Sequence, residues 1–109
     1  MLLGAILGRA LVAIAQTFST IDTTAAGVSA GNKYYGAAAV GNSVFFAPNR
    51  EGNVGVLDTT TSTFSTIDTT AAGVTSADNK YLGAAAVGTS VFFGPWGSPS
   101  GVLRFTVGQ

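Results

Sequence analysis

Side chains able to do chemistry are few in this chain. Five Asp or Glu and five Lys or Arg make up the whole charged set of 109 residues, the formal net charge is zero, and there is neither His nor Cys. Without His the chain lacks the commonest general base, the commonest zinc ligand and the usual partner of a nucleophilic Ser. Without Cys, disulfides, thiolate metal sites and a Cys nucleophile are excluded. Asp22 and Asp68 sit in identical surroundings, ST-I-DTT, and invite reading as an acid–base pair or as cation ligands. Acid–base work needs two carboxyl groups within about 10 Å in different environments, and nothing in the sequence supplies that. The expected role is instead to fix turns, by accepting backbone amides two or three residues on, as Asp58 does at the head of DTTTS. The glycines form neither GxGxxG nor a Lys-bearing phosphate loop, and no basic patch is present to hold phosphates of a nucleic acid. No catalytic residue, metal ligand or cofactor is expected.

Binding is better served. Asn49, Arg50 and Glu51 lie in PNREGN, residues 48–53, and Trp96 lies in PWGSPSG, residues 95–101. These are the candidate contacts for a partner, since loops on a rigid scaffold carry most binding residues and Trp and Arg dominate hot spots. The plainer alternative is that Arg50 and Glu51 form a solvated turn pair and Trp96 caps an apolar edge.

The elements that must position these loops repeat. TFSTIDTTAAGV at residues 17–28 returns unchanged at 63–74, an offset of 63 minus 17, or 46 residues; GAAAVG and SVFF follow in both copies. A period of this size marks a repeat architecture whose unit cannot cover its own apolar face. Residues 17–109 hold the two copies, which leaves no room for a second domain. Fifteen glycines and a Thr-rich texture favour short strands with tight turns. Strands are expected at 33–40, 44–47, 54–57 and 63–69, with Gly41 and Asn42 as the first hairpin turn. The fold class is therefore all-β, in tandem four-stranded antiparallel meanders. Alternate residues face opposite ways, and Val44 and Phe46 on one side meet Phe45 and Ala47 on the other. Both faces are apolar, so each meander needs covering on both. Only 9% of residues are charged while 47% are hydrophobic; an ordinary surface carries about a quarter to a third charged residues, so much of this one is expected to be hidden.

Residues 1–16 stand apart as an apolar N-terminal segment. MLLGAILGRALVAIA is too short, and too interrupted by Arg9, for a membrane span of about twenty apolar residues. It ends in Ala13, Ile14 and Ala15, the small–any–small pattern of a signal-peptidase site, but Arg9 sits within the apolar run rather than ahead of it. A cleaved signal, which makes the protein secreted, a short apolar strand or helix packed on the repeats, and a start foreign to the array all stay open.

Residues 44–67, VFFAPNREGNVGVLDTTTSTFSTI, resemble the YVTN type of β-propeller repeat: an aromatic strand, an Asn-containing loop, a Val-rich strand ending in Asp-Thr, and a Thr-rich strand. The second copy is similar from residue 91 to 103 and departs where Arg104 and Phe105 replace Asp58 and Thr59, which removes the turn signal. The period lies near those of WD and kelch repeats, though neither the Trp-Asp dipeptide nor the Gly-Gly doublet is present. The resemblance implies blades, with the small GAAA residues where blades crowd round an axis, and one rim shared by the loops at 48–53 and 95–101 and the exposed charges Lys33, Arg50, Glu51, Asp78 and Lys80. It also implies an incomplete set, because closed propellers have typically four to eight blades. Residues 17–23 form a lone strand in this reading, available to complete the edge at 101–107 of another copy. Partners are then the chain itself, head to tail, three copies giving a six-bladed ring, or further blades of a longer array. The expected function is a non-catalytic scaffold presenting a loop rim to a protein, peptide or glycan. The alternatives are part of a catalytic propeller, lactonase-like or quinone-dependent, and a structural or cell-surface repeat protein.

Overall fold

The computed structural model describes residues 16–74, 80–97 and 101–108. The readings made for residues 1–15 and for Asp78 fall outside them. Four strands, β1 (Tyr34–Val40), β2 (Ser43–Pro48), β3 (Asn53–Asp58) and β4 (Thr63–Asp68), pair antiparallel in sequence order. Three more, β5 (Tyr81–Val87), β6 (Ser90–Pro95) and β7 (Leu103–Thr106), form a second antiparallel sheet in the same manner. The chain is thus all-β, in two sheets of four and three strands.

Local chemistry explains the strand ends. Val40 pairs with Ser43, leaving a two-residue turn whose first position is Gly41 at φ 58°, the position a type II′ hairpin reserves for glycine. Between β3 and β4 the Asp58 carboxylate accepts the Thr60 amide at 2.9 Å and its hydroxyl at 2.6 Å. Asp22 and Asp68 hold Thr24 and Thr70 similarly, through amides at 2.9 and 3.1 Å, each at the head of a short 3₁₀ turn. All three aspartates therefore fix turns, as expected from their Thr-rich surroundings. Their carboxyls are held below the usual range, Asp22 and Asp68 chiefly by the Thr amides and Asp58 chiefly by the Thr60 hydroxyl.

Several expectations need correction. Within the single chain residues 17–23 adopt no strand, and Phe18 is fully exposed. The 46-residue offset also grows along the chain: Ser43 and Ser90 open β2 and β6, 47 apart, and Asp58 and Thr106 pair with those serines, 48 apart. One residue is added between Val74 and Lys80 and another in the loop at 95–101. Arg104 and Phe105 hence correspond in register to Val56 and Leu57, not to Asp58 and Thr59. Among the described residues the second sheet has no fourth strand.

The sheets pack face to face and the core lies between them. One face of the first sheet contributes Phe45, Ala47 and Val54; the opposite face of the second contributes Tyr81, Val91, Phe93 and Leu103. Phe45 and Phe105 meet across this junction with ring centroids 5.4 Å apart. Burying each such large side chain is worth about 1.5–3 kcal/mol, so the junction is the main tie between the repeats. Its tightest point joins β1 to β5. A Cβ built on Gly36 falls 2.6 Å from the Gly83 Cα, and the two glycines hold equivalent bulges at φ 89° and 83°.

Candidate functional site

Where the strands of the two sheets end, their loops meet at one rim. The Asn49 amide donates to the Lys33 carbonyl at 3.0 Å, and the Trp96 amide repeats this bond to the Lys80 carbonyl at 2.9 Å. Asn49 and Trp96 are thereby placed equivalently, one residue beyond β2 and one beyond β6. The first is spent on the junction: Asn49 is only 4% exposed, its Nδ2 donates to the Tyr81 carbonyl at 2.9 Å, and its own carbonyl accepts the Lys80 amide at 3.2 Å. A buried strand-end carbonyl without a partner is costly, and the side-chain amide removes that cost where β5 begins. Lys80, expected on the rim surface, is fully buried at the same junction.

Glu51 is likewise engaged. Its Oε2 accepts the Ser29 amide at 3.1 Å and the Ala30 amide at 2.8 Å, tying the segment after the first 3₁₀ turn to the rim, where Val28 is fully buried. Arg50 stays exposed, its amide donating to the Asn32 carbonyl at 3.1 Å. Below Glu51, the Tyr34 hydroxyl donates to Asn53 Oδ1 at 2.8 Å. Burial, then the nearby Glu51 charge, pushes the Tyr34 phenol up to about 12.

Trp96 is 60% exposed and forms one wall of a cleft of about 260 Å³. Tyr35, 59% exposed, and Leu82 come from the inner strands; Asn32 and Asn49 complete the lining. Of the four sequence candidates, the structure brings Asn49 and Trp96 together in this cleft and leaves Arg50 and Glu51 outside its lining. Tyr35, Leu82 and Asn32 went unnoticed in the sequence. A signal was there for the first two: KYYG in one copy and KYLG in the other make residues 35 and 82 a point of difference within otherwise matching strands. Two large aromatic faces beside the exposed Asn32 side-chain amide can stack on a flat or apolar group and hydrogen-bond its edge. Among the described residues no group of three or more His, Cys, Asp or Glu side chains is arranged to hold a metal ion.

Comparison with protein-family models, with curated proteins and with solved structures returns no match to this chain.

Proposed function

We propose that the chain is a non-catalytic binding scaffold, built from β-propeller-type blades, that presents its loop rim to a protein, peptide or glycan. The observation that carries this reading is the cleft in which Trp96 and Tyr35, each more than half exposed, stand beside the exposed side-chain amide of Asn32. Large aromatic side chains are usually withdrawn from water, and their display beside hydrogen-bonding groups on rigid strand ends is the composition of a contact surface. The blade reading is supported by the four-stranded meander, by the face-to-face stacking of successive repeats, and by the glycine contact that lets the inner strands approach.

Trp96 is the only tryptophan in the chain, so its fluorescence reports on this cleft alone. Titration with a panel of oligosaccharides, proline-rich peptides and aromatic peptides is expected to shift its emission for one class. Trp96→Ala and Tyr35→Ala should then each weaken that ligand, read by calorimetry, by at least about tenfold, the range of a hot-spot aromatic. A ligand that binds the protein equally well after both substitutions would remove the cleft from the account.

A further inference from the structure

The junction between the two sheets is heterologous: one face of the first repeat meets the opposite face of the second. Ala38, Phe45, Ala47 and Val54 of the first sheet lie against Tyr81, Val91, Phe93 and Leu103 of the second. Because the repeats are near copies, each of these faces occurs twice, and the junction uses only one of each. The second sheet still carries the first sheet's inner face, as Ala85, Phe92, Gly94 and Val102, with the exposed Arg104 at the Val56 position, and those first four residues line an open trough of about 380 Å³. The first sheet still carries the second sheet's covered face, as Tyr34, Val44, Phe46 and Leu57, all half-buried.

Coverage is what distinguishes the copies. Val54 is 2% exposed at the junction, whereas its counterpart Val102 is 61% exposed. The Cβ direction of Gly36 is filled by Gly83 of the next repeat, while that of Gly83, in the same backbone conformation, meets nothing within 4 Å. The opposite faces agree in shape even where their sequences differ. In the first sheet Gly55 leaves space that the Phe64 ring fills, a Cβ there falling 2.7 Å from Phe64 Cζ. In the second sheet, which among the described residues lacks the strand that would bring a phenylalanine, Leu103 stands at the Gly55 register position. Tyr34, Phe46 and Phe64, with centroids 5.9 to 6.1 Å apart, thus present to the outside a filled apolar surface like the one that Tyr81, Phe93 and Leu103 present to the junction.

The geometry points to a second copy of this chain as the occupant of the trough, seated by the Tyr34–Val44–Phe46 face of its first sheet and continuing the internal junction from one chain to the next. The surface adjoins the rim cleft at Leu82, which lines both, and it differs from exchange of residues 17–23. A Phe18 delivered to the second sheet in the manner of Phe64 would meet the Leu103 side chain, just as a Cβ on Gly55 meets the Phe64 ring.

The test uses full-length protein and light scattering across a dilution series, with circular dichroism to establish that each variant keeps its sheets. The wild type is expected to reach masses that are multiples of 10.9 kDa. Val102→Lys, which blocks the trough, and Val44→Lys, which blocks the facing surface, are each expected to run as single chains. Mixed together, they should form a two-chain species and nothing larger, since each retains the one face the other has lost. Val87→Lys and Leu57→Lys replace them if either fails to fold. A wild type that stays a single chain at every concentration overturns the proposal, as does assembly by either variant alone or the absence of a two-chain species in the mixture. Labelling of Val102→Cys identifies what is there instead. A shielded thiol on a single chain assigns the trough to the chain's own residues 1–15, and a reactive one leaves it uncovered; both outcomes refute the second copy.

Discussion

At the scale of single residues, the rim is held by side-chain hydrogen bonds, two of the groups bonding to backbone and one to another side chain. Asn49 completes the start of β5, Glu51 ties down Ser29 and Ala30, and Tyr34 reaches Asn53 from beneath. Tyr34 makes this arrangement measurable by pH. Its folded pKa of about 12 stands above the ordinary 10.0, so the native state holds the phenolic proton more tightly than the unfolded chain does. The stabilisation is complete below the unfolded value and is lost as pH rises from 10 towards 12. Absorbance at 295 nm, as a difference between wild type and Tyr34→Phe, is therefore expected to show one phenol ionising near pH 12; ionisation of that phenol near 10 in the folded protein would contradict its burial. Arg50 contributes in another way. Its exposure agrees with the sequence reading, whereas Lys80 shows how charge misleads, because its whole side chain is buried at the junction and the sequence records only its type.

Among the elements, the closest approach governs the rest. β1 and β5 come together at Gly36 and Gly83, each in a bulge at positive φ. Gly36→Ala places a methyl 2.6 Å from the Gly83 Cα, on a backbone conformation that L side chains rarely adopt. Overpacking of this kind costs about 1–3 kcal/mol, and urea denaturation should show a loss at least that large. Gly83→Ala shares the conformational strain but has open space before it, so the difference between the two variants isolates the packing part. Seven strands were legible in the sequence because β-branched and aromatic residues alternate between glycine and aspartate turns, and the repeat reads that pattern twice. What could not be read was whatever depended on a neighbour. Residues 17–23 have the composition of β4 yet form no strand within the single chain, since composition alone does not supply a pairing partner. The lengthening offset, by contrast, is present in the sequence itself, since GAAAVG recurs after 47 residues and not 46. In the candidate cleft, Trp96 was visible as a type, while Tyr35 and Leu82 were placed by a bulge that only the folded backbone reveals.

For the molecule as a whole, the low charge and high apolar content have a structural counterpart in the faces left uncovered. The two sheets cover one face each, and Val87 and Val102 on the second are more than 60% exposed. If the faces join copies as inferred, the internal junction is made within one chain, whereas the external one lacks that tether and carries Arg104 where the first sheet has Val56. A tethered contact forms at an effective concentration in the mM range for short flexible linkers, whereas an untethered one weakens with every dilution. Unfolding followed by the near-ultraviolet signal is therefore expected to shift to higher temperature as protein concentration rises, and Val102→Lys should show no such shift. The single-handed pairing of faces has a further consequence. No chain in a row of identical links is marked as the last, so growth stops only where the rotation from repeat to repeat brings the row back upon its own beginning. A small error in that rotation separates a closed particle from an endless fibre, and the setting of the angle falls to two glycines in contact.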